Sequence, residues 1–289
     1  MSAIVYYLFI KPISFLPYPL LYLLSDIVYL LLYYVISFRK KVVRGNLTRS
    51  FPAMDISEIK IIERKFYKHL ADIFLESLKL FSISENQLRK RFSKSNPQVL
   101  NRFYEEGKSV IIVGGHYNNW EMAAIASNFQ IKHPSLGIYS PFQNKYFKKK
   151  ISESRSRFGV ILVPQIHVKR YMVRYQDQLT ATIYGIDQSP TSRKNIVWNT
   201  FLNQETSWFV GAERYAREFN YPVVYAHIIK VKRGFYEMEF NVIEENPGNT
   251  AEGAIIEKYV RYLEQKIFEK PEFWLWSHRR WKGQRDKIG

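Results

Sequence analysis

From Gly107 onward the chain alternates short apolar, β-branched runs with stretches of helical periodicity, and this alternation limits the fold more than any other feature. The strand-like runs are Ser109–Val113, Ser135–Tyr139, Val160–Val163, Thr180–Tyr184, Val223–Lys230 and Phe235–Ile243. The helical stretches are Asn118–Phe129, Asn144–Arg157, Val168–Gln176, Trp208–Phe219 and Thr250–Phe268. Helices that alternate with strands pack on the faces of a sheet. The pattern therefore predicts an α/β fold, with a mixed central sheet flanked by helices.

A long amphipathic helix is predicted upstream of the sheet, over Ser57–Phe81. Asp55 and Glu58 have the spacing of a capping box at its start. Apolar residues then recur at helical spacing along the segment. No internal repeat or low-complexity linker divides the remaining chain. We therefore expect one α/β domain over residues 51–289, behind a distinct N-terminal region over residues 1–50.

The N-terminal region contains an almost wholly apolar run, Leu20–Ser37, whose one charged residue is Asp26. Its 18 residues are near the lower limit for a helix that spans a bilayer. A carboxylate at mid-span would cost about 3 kcal/mol on insertion scales. Pro17 and Pro19 predict a break at the start of this helix. We expect an anchor that spans the membrane or lies in its interface, and a buried helix of a soluble domain is the alternative.

Basic residues follow the apolar run directly, at Arg39, Lys40, Lys41, Arg44 and Arg49. Cationic flanks tend to stay on the cytoplasmic side of a membrane, where they also bind anionic headgroups. The first residues carry no basic segment, and no small-residue cleavage site follows the run, so a cleavable signal peptide is not expected. The α/β domain should then lie on the cytoplasmic side, against an anionic membrane surface.

The net charge of +17 indicates an acidic partner, which could be nucleic acid, an anionic membrane or a phosphorylated substrate. Two basic clusters contribute to this charge and could hold phosphates, an anionic membrane or an acidic protein, or could be solvated faces. One comprises Lys145, Lys148, Lys149, Lys150, Arg155 and Arg157, and the other Arg279, Arg280, Lys282, Arg285 and Lys287. The absence of cysteine excludes a thiol nucleophile and cysteine-ligated metal centres.

The segment with the strongest chemical signal is Gly114–Glu121 (GGHYNNWE), which lies where a predicted strand ends and a helix begins. Sites of α/β proteins commonly lie at this edge of the sheet. Glycines permit a tight turn and a close approach of a ligand, and Asn118 or Asn119 could cap the helix. The helix N-terminus would favour negative charge that develops beside His116.

The spacing of His116 and Glu121 indicates a general base and its partner. On one regular helix the two residues would point about 140° apart, but a turn before the helix would let them meet. Glu121 would then accept the imidazole N–H and leave the other ring nitrogen free to take a proton from a hydroxyl. The alternative is a histidine that only caps the turn. No metal site is expected, because the chain has no His-Glu-x-x-His pattern.

Five stretches in order resemble the late acyltransferases of lipid A biosynthesis, within the acyltransferases that carry a His-x4-Asp/Glu motif. They are Arg44–Pro52 (RGNLTRSFP), the His116–Glu121 turn, Ser154–Gly159 (SRSRFG), Asp187–Pro190 (DQSP) and Leu275–Lys282 (LWSHRRWK). The resemblance covers nearly the whole chain. It implies a glycerolipid acyltransferase-like fold with an N-terminal membrane helix, at the inner membrane.

The resemblance also implies an activity and a set of site residues. The activity would be O-acylation of a lipid A precursor from an acyl-carrier-protein thioester, or a coenzyme A thioester, with no other cofactor. His116 would be the base and Glu121 its partner. Arg155 best matches the family's arginine, with Arg157 as a competitor. The expected substrate-binding residues are Asn119, Arg155, Arg157, Asp187 and Gln188.

Two other functions stay open. One keeps the chemistry but uses a lysophospholipid or an aminolipid as acceptor, because the residues around His116 differ from those of the best-known lipid A enzymes. The other is a basic, membrane-tethered protein that binds nucleic acid and is not an enzyme. It would explain the charge, but the chain has no helix-turn-helix, finger or ribonucleoprotein signature, so no nucleic acid is expected.

Overall fold

The computed structural model describes residues 2–129, 131–140, 143–190, 192 and 194–282. Within them the strands are β1 Phe92–Lys94, β2 Val110–Gly114, β3 Ser135–Tyr139, β4 Ile161–Pro164, β5 Ala181–Gly185, β6 Ile196–Phe201, β7 Gln204–Phe209, β8 Val223–Lys232 and β9 Phe235–Glu244. Seven of these strands form the central sheet, in the order β1-β9-β8-β2-β5-β3-β4. Strands β8 and β9 pair antiparallel, and the other neighbours in this sheet pair parallel. The predicted mixed α/β sheet is confirmed.

The α-helices pack on both faces of the sheet and also form most of the N-terminal region. They are α1 Ser2–Phe15, α2 Tyr18–Val35, α3 Lys40–Ser50, α4 Ile56–Lys79, α5 Glu85–Arg91, α6 Gln98–Glu105, α7 Trp120–Ala126, α8 Lys145–Ser156, α9 Val168–Arg174, α10 Gly211–Phe219 and α11 Ala254–Glu269. Helices α1 and α2 each include one π-helical segment. The predicted capping box of Asp55 and Glu58 is confirmed at the start of α4.

Strand β2 lies at the centre of the sheet and sends alternate side chains to its two faces, as a strand must. Val110 and Ile112 join a core beneath α5, α6 and α7, whereas Ile111 and Val113 join a larger core that includes residues of α10 and α11. Both faces of β2 are therefore buried. This explains why its sequence is continuously apolar rather than alternating.

The N-terminal helices pack against α4 and the sheet. The chain breaks before α2, where Pro17 is the N-cap, as its prolines predict. Asp26 of α2 forms an ion pair with Arg233, at 2.7 Å, and Arg233 also binds Asp72 of α4. Ser25 donates a hydrogen bond to Asp72 over 2.8 Å. The charge within the apolar run thus has a partner on the domain, which offsets part of the expected cost of a bare carboxylate in lipid.

Among the described residues, Tyr18–Val35 is the one helix long and apolar enough to cross a membrane, and little of it is buried by the protein. Helix α3 follows it and packs on the C-terminal segment, where Asn46 donates hydrogen bonds to the carbonyls of Trp276 and His278. These contacts join residues 1–50 to the catalytic domain. The boundary near residue 50 stays a prediction.

Several elements differ from those predicted. Helix α10 begins at Gly211 rather than at Trp208, because Trp208 and Phe209 complete strand β7 of the antiparallel β6–β7 hairpin. The hairpin and β1 were not predicted. Strand β1 has only three residues, too few to show a periodicity, and its pairing with β9 is a long-range contact.

Candidate active site

The site lies at the carboxyl ends of the parallel neighbours β2 and β5. His116 follows β2 by two residues, and Asp187 follows β5 by two residues. The backbone N–H of His116 donates to Asp187 Oδ2 over 2.7 Å, and its Nδ1 lies 2.5 Å from Oδ1. A pair of parallel strands thus places a histidine against a carboxylate at the switch between strand and loop, where sites of α/β sheets form.

Asp187 is held in place from behind. Its side chain is 2% exposed, and its Oδ2 accepts a hydrogen bond from Trp274 Nε1 over 2.8 Å. A Cβ atom added at Gly115 would lie 3.2 Å from the same oxygen, and one at Gly185 would lie 3.3 Å from His116 Cε1. The two glycines therefore allow the histidine and the carboxylate to approach each other closely.

The electrostatics of the pair favour charge separation. Burial alone would lower the pKa of His116, but the charge and hydrogen bond of Asp187 outweigh it and raise the pKa above its usual value. Burial would raise the pKa of Asp187, but the charge of His116 and the hydrogen bonds from His116 and Trp274 lower it. Because a carboxylate only accepts hydrogen bonds, the neutral form of His116 carries its proton on Nδ1 and offers a lone pair on Nε2.

The lone pair of Nε2 faces a cavity. Gln188 Nε2 lies 3.1 Å from His116 Nε2, so the carboxamide can donate to it. The ring of Trp120 packs edge-on against the imidazole, with the ring centroids 5.2 Å apart. Gln188 was expected to bind substrate, and the structure places it on the cavity wall beside His116 Nε2.

Glu121 does not accept the imidazole N–H of His116, and this corrects the expected partnership. Its carboxylate instead binds Arg155 of α8, with Arg155 Nη2 2.7 Å from Oε1 and Nε 3.1 Å from Oε2. Asn118 adopts a left-handed backbone with φ 54°, and Glu121 follows in the first turn of α7. The imidazole N–H of His116 is instead bound by Asp187, which follows the neighbouring strand β5. The charge of Glu121 raises the pKa of His116 and that of Arg155 lowers it, both less than Asp187 does.

Asn119 and Arg157 have structural partners. Asn119 is the N-cap of α7, where Oδ1 accepts from the Met122 N–H over 2.8 Å, and Nδ2 donates to the buried Glu76 over 2.6 Å. Arg157 donates to carbonyl groups at the C-terminal end of α4, including that of Leu80 over 3.2 Å. Neither side chain is among the described residues that line the cavity.

The cavity has a volume of about 580 Å³ and lies mainly on the face of the sheet that α7 covers. His116, Glu121, Arg155 and Gln188 contribute its polar groups at the catalytic edge. Most of the remaining wall is apolar. It includes Ile112, Ala123, Ile138, Val160, Leu162, Ile183, Tyr184, Phe209, Ala226, Ile228, Met238 and Phe240. Such a wall suits an aliphatic chain.

The two basic clusters divide between internal and surface positions. Arg155 binds Glu121, and Lys150 pairs with Glu153 within α8. Arg280 is 1% exposed and stacks over the ring of Trp208 at 4.4 Å. Arg285 and Lys287 lie outside the described residues. Within the described part of the chain, no group of three or more metal-ligating side chains lies together.

A histidine–carboxylate pair whose second imidazole nitrogen faces a mostly apolar cavity is an arrangement that can act as a general base on a substrate with an aliphatic chain. The comparison with protein families gives a class that fits this chemistry. Residues 2–283 match the profile of the bacterial lipid A biosynthesis acyltransferases. The chain belongs to this family, and it is an acyltransferase that acts on lipid A-like substrates. A comparison with curated proteins returned no match.

The sequence did not predict that Asp187 contacts His116, or that Trp274 donates a hydrogen bond to Asp187. The Asp187–Pro190 motif and the tryptophan-rich C-terminal segment were both noted as motifs. The signal available was the position of His116 and Asp187, each just after a predicted strand, Ser109–Val113 and Thr180–Tyr184. Which strands are neighbours could not be read from the chain.

Proposed function

We propose that the protein transfers a fatty acyl chain from an acyl-carrier-protein thioester to a hydroxyl group of a lipid A precursor. A coenzyme A thioester is the second possible donor. The observation that carries the proposal is His116, whose Nδ1 is paired with Asp187 and whose Nε2 faces the apolar cavity. Family membership supports the lipid A acceptor, and the +17 charge suits both a phosphorylated lipid and an acidic carrier protein.

The proposed reaction begins when the acceptor hydroxyl displaces Gln188 from His116 Nε2. His116 takes the hydroxyl proton while the oxygen attacks the thioester carbonyl carbon. Asp187 holds the imidazole in the required tautomer and stabilises the imidazolium that forms. The carbon–sulfur bond of the tetrahedral intermediate then breaks, and the imidazolium returns its proton to the leaving thiolate. The acyl ester and a free thiol result, without a covalent acyl-enzyme or a bound cofactor.

Arg155 has the position and charge to stabilise the oxyanion of this intermediate. It lines the cavity beside His116, and its guanidinium is aligned by the two-point contact with Glu121. A pre-aligned cation in a mostly apolar cavity stabilises developing negative charge better than a solvated one. In this mechanism Glu121 acts through Arg155, as a positioning residue.

We further propose that the site works at the cytoplasmic face of the inner membrane. The apolar helix α2 is followed by the basic residues Arg39, Lys40 and Lys41, which favour the cytoplasmic side. Helix α3, which carries further basic residues, packs directly on the segment behind Asp187. The active site would therefore lie close to the membrane surface, where a lipid acceptor is found.

The test uses the full chain in phospholipid vesicles, with an acyl-carrier-protein thioester and an underacylated lipid A precursor, followed by mass spectrometry. The wild type should add one acyl chain, and His116→Ala should lower the rate at least about ten-thousandfold because the base is lost. His167→Ala, a change at an exposed histidine outside the cavity, is the matched control and should keep full activity.

Two outcomes would count against the proposal. Full transfer by a folded His116→Ala protein would exclude the mechanism. Transfer to a lysophospholipid or an aminolipid, with none to the lipid A precursor, would keep the chemistry but replace the acceptor.

A further inference from the structure

The cavity extends to both sides of the catalytic strand, and its two arms differ. Most of the sheet residues that line it lie on the α7 face, although Ile138 and Tyr184 belong to the core on the opposite face. On one side of β2 the wall continues through β8 and β9 to Lys94 of β1, and on the other through β5 and β3 to Leu162 of β4. We call the first the β1 arm and the second the β4 arm.

The β1 arm is closed and apolar. Its walls are Ala226 and Ile228 of β8 and Met238 and Phe240 of β9. Ile228, Met238 and Phe240 are all buried, and Lys94 beyond them is 8% exposed. An aliphatic chain in this arm would have apolar side chains along its length and no route to solvent through these residues, which is the environment that hydrophobic burial favours.

The β4 arm is more polar and reaches the surface. Ser140 and Gln165 at its outer end are exposed, and Ser140 Oγ donates a hydrogen bond to Gln165 Oε1 over 3.1 Å. Arg155 lines the cavity as well. A polar mouth suits the carrier arm of a donor or the sugar of an acceptor better than an acyl tail.

Lys94 closes the β1 arm with a fixed polar group. Its Nζ donates to the carbonyl of Ala126 over 3.0 Å and to that of Phe129, just beyond the C-terminal end of α7. A cation is favoured there by the helix dipole. Burial and the charge of Arg89 lower the pKa of Lys94 to about 7, and the group stays polar in either form. The methyl end of an acyl chain cannot form a hydrogen bond. If it displaced Lys94 Nζ from its partners, the amino group would be left without a hydrogen bond, which costs free energy.

The strand register places Lys94 at a defined distance from the catalytic centre. Lys94 pairs with Met238, and Met238 pairs with Ile228, one pleat beyond Ala226, which lies beside Gly114. Three strand spacings of about 4.8 Å separate β1 from β2, so the end of the arm lies about 14 Å to the side of the His116 strand. The length of this arm is thus set by the sheet itself, and its end by one side chain.

We propose that the β1 arm holds the acyl chain of the donor and that Lys94 sets the longest chain the enzyme accepts. This inference rests on the proposed acyl transfer. Chains that fit between the catalytic edge and Lys94 are transferred well. Longer chains must push against a polar group that its bonds to α7 hold in place, and they are transferred poorly.

The test compares dodecanoyl, tetradecanoyl and hexadecanoyl carrier-protein thioesters by their kcat/KM values in the full-length protein. Lys94→Met keeps an unbranched side chain but removes the polar end. The quantity compared is kcat/KM for the longest donor divided by kcat/KM for the best donor. Lys94→Met should raise this ratio about tenfold, which is the typical effect of a small change in length in an apolar pocket. Lys90→Met, the same change at an exposed position on α5, is the control and should leave the ratio unchanged.

Lys94 also supports the end of α7, so its change could lower activity through structure alone. A structural effect would reduce kcat/KM for every donor by the same factor, and that result would overturn the inference. Ala226→Leu supplies a second variant, because it narrows the start of the β1 arm and should penalise long donors more than short ones. Leu162→Phe makes the matched change in the β4 arm. A shift in chain preference with Leu162→Phe and none with Lys94→Met would place the acyl chain in the other arm.

The outcomes separate the two proposals. A wild type that transfers no acyl chain from any donor contradicts the proposed function itself. A wild type that transfers normally, with an unchanged ratio in both Lys94→Met and Ala226→Leu, contradicts only the assignment of the β1 arm.

Discussion

Two carboxylates flank the active-site histidine, and they occupy very different surroundings. Asp187 is 2% exposed, follows a strand of the central sheet, and is bonded to His116 and Trp274. Glu121 lies in the first turn of helix α7, and its side chain is 24% exposed. It forms an ion pair with Arg155 at the cavity wall. One carboxylate belongs to the buried frame of the sheet, and the other to the surface that faces the substrate.

The difference between the two sites shows how the protein separates two tasks. A buried, multiply bonded carboxylate has a fixed position, so it suits the orientation of a general base. A partly exposed ion pair contributes little to stability, but it aligns a cation beside the place where negative charge develops. We therefore expect the two carboxylates to differ in the size and the kind of effect when each is changed.

Asp187→Asn should have the largest effect. The amide keeps the shape of the side chain but cannot stabilise the imidazolium and can hold the wrong tautomer, so kcat should fall about ten-thousandfold, as in other His–Asp pairs. Initial rates of acyl transfer from a carrier-protein thioester would measure it. A loss smaller than that of Glu121→Gln would reverse the comparison and return the orienting role to Glu121.

Glu121→Gln should have an intermediate effect. Arg155 would lose the charge that aligns its guanidinium, and kcat should fall about a hundredfold, the typical effect of one oxyanion-stabilising donor. Arg155→Lys should lower kcat by a similar factor, because a lysine cannot make the two-point contact with the carboxylate. Additive losses in the double variant would show that the two residues act separately, against the pairing in the structure.

The smallest expected effect is a shift in the pH dependence of kcat/KM. The size of this shift should differ between changes at the two carboxylates. His116 acts as a base only when neutral, so kcat/KM should fall as the pH drops through its pKa, which Asp187 raises above 6.5. In Asp187→Asn the lowering effect of burial remains without that opposition, so the acidic limb should move to lower pH. Glu121→Gln should move it in the same direction but less. A larger shift in Glu121→Gln than in Asp187→Asn, in profiles of kcat/KM, would contradict this order.

Much of the fold could be predicted because its signals are local. The apolar strand runs, the capping box of α4 and the strand–turn–helix around His116 all depend on neighbours within a few residues. The hairpin of β6 and β7 was not predicted, because Trp208 and Phe209 were assigned to the helix that follows. Its two strands have partly exposed faces, where apolar content alone does not distinguish a strand from the start of a helix.

The family and the chemical class of the site were determined by the sequence itself, because their motifs are short and contiguous. The histidine, the glycines of its turn and the Asp187–Gln188 motif were all visible there. Only the tertiary structure decided that Asp187, 71 residues away, accepts the imidazole N–H, and that Glu121 binds Arg155. The physical reason is strand order. β2 and β5 are neighbours through long-range pairing, and no local pattern in either strand specifies its partner.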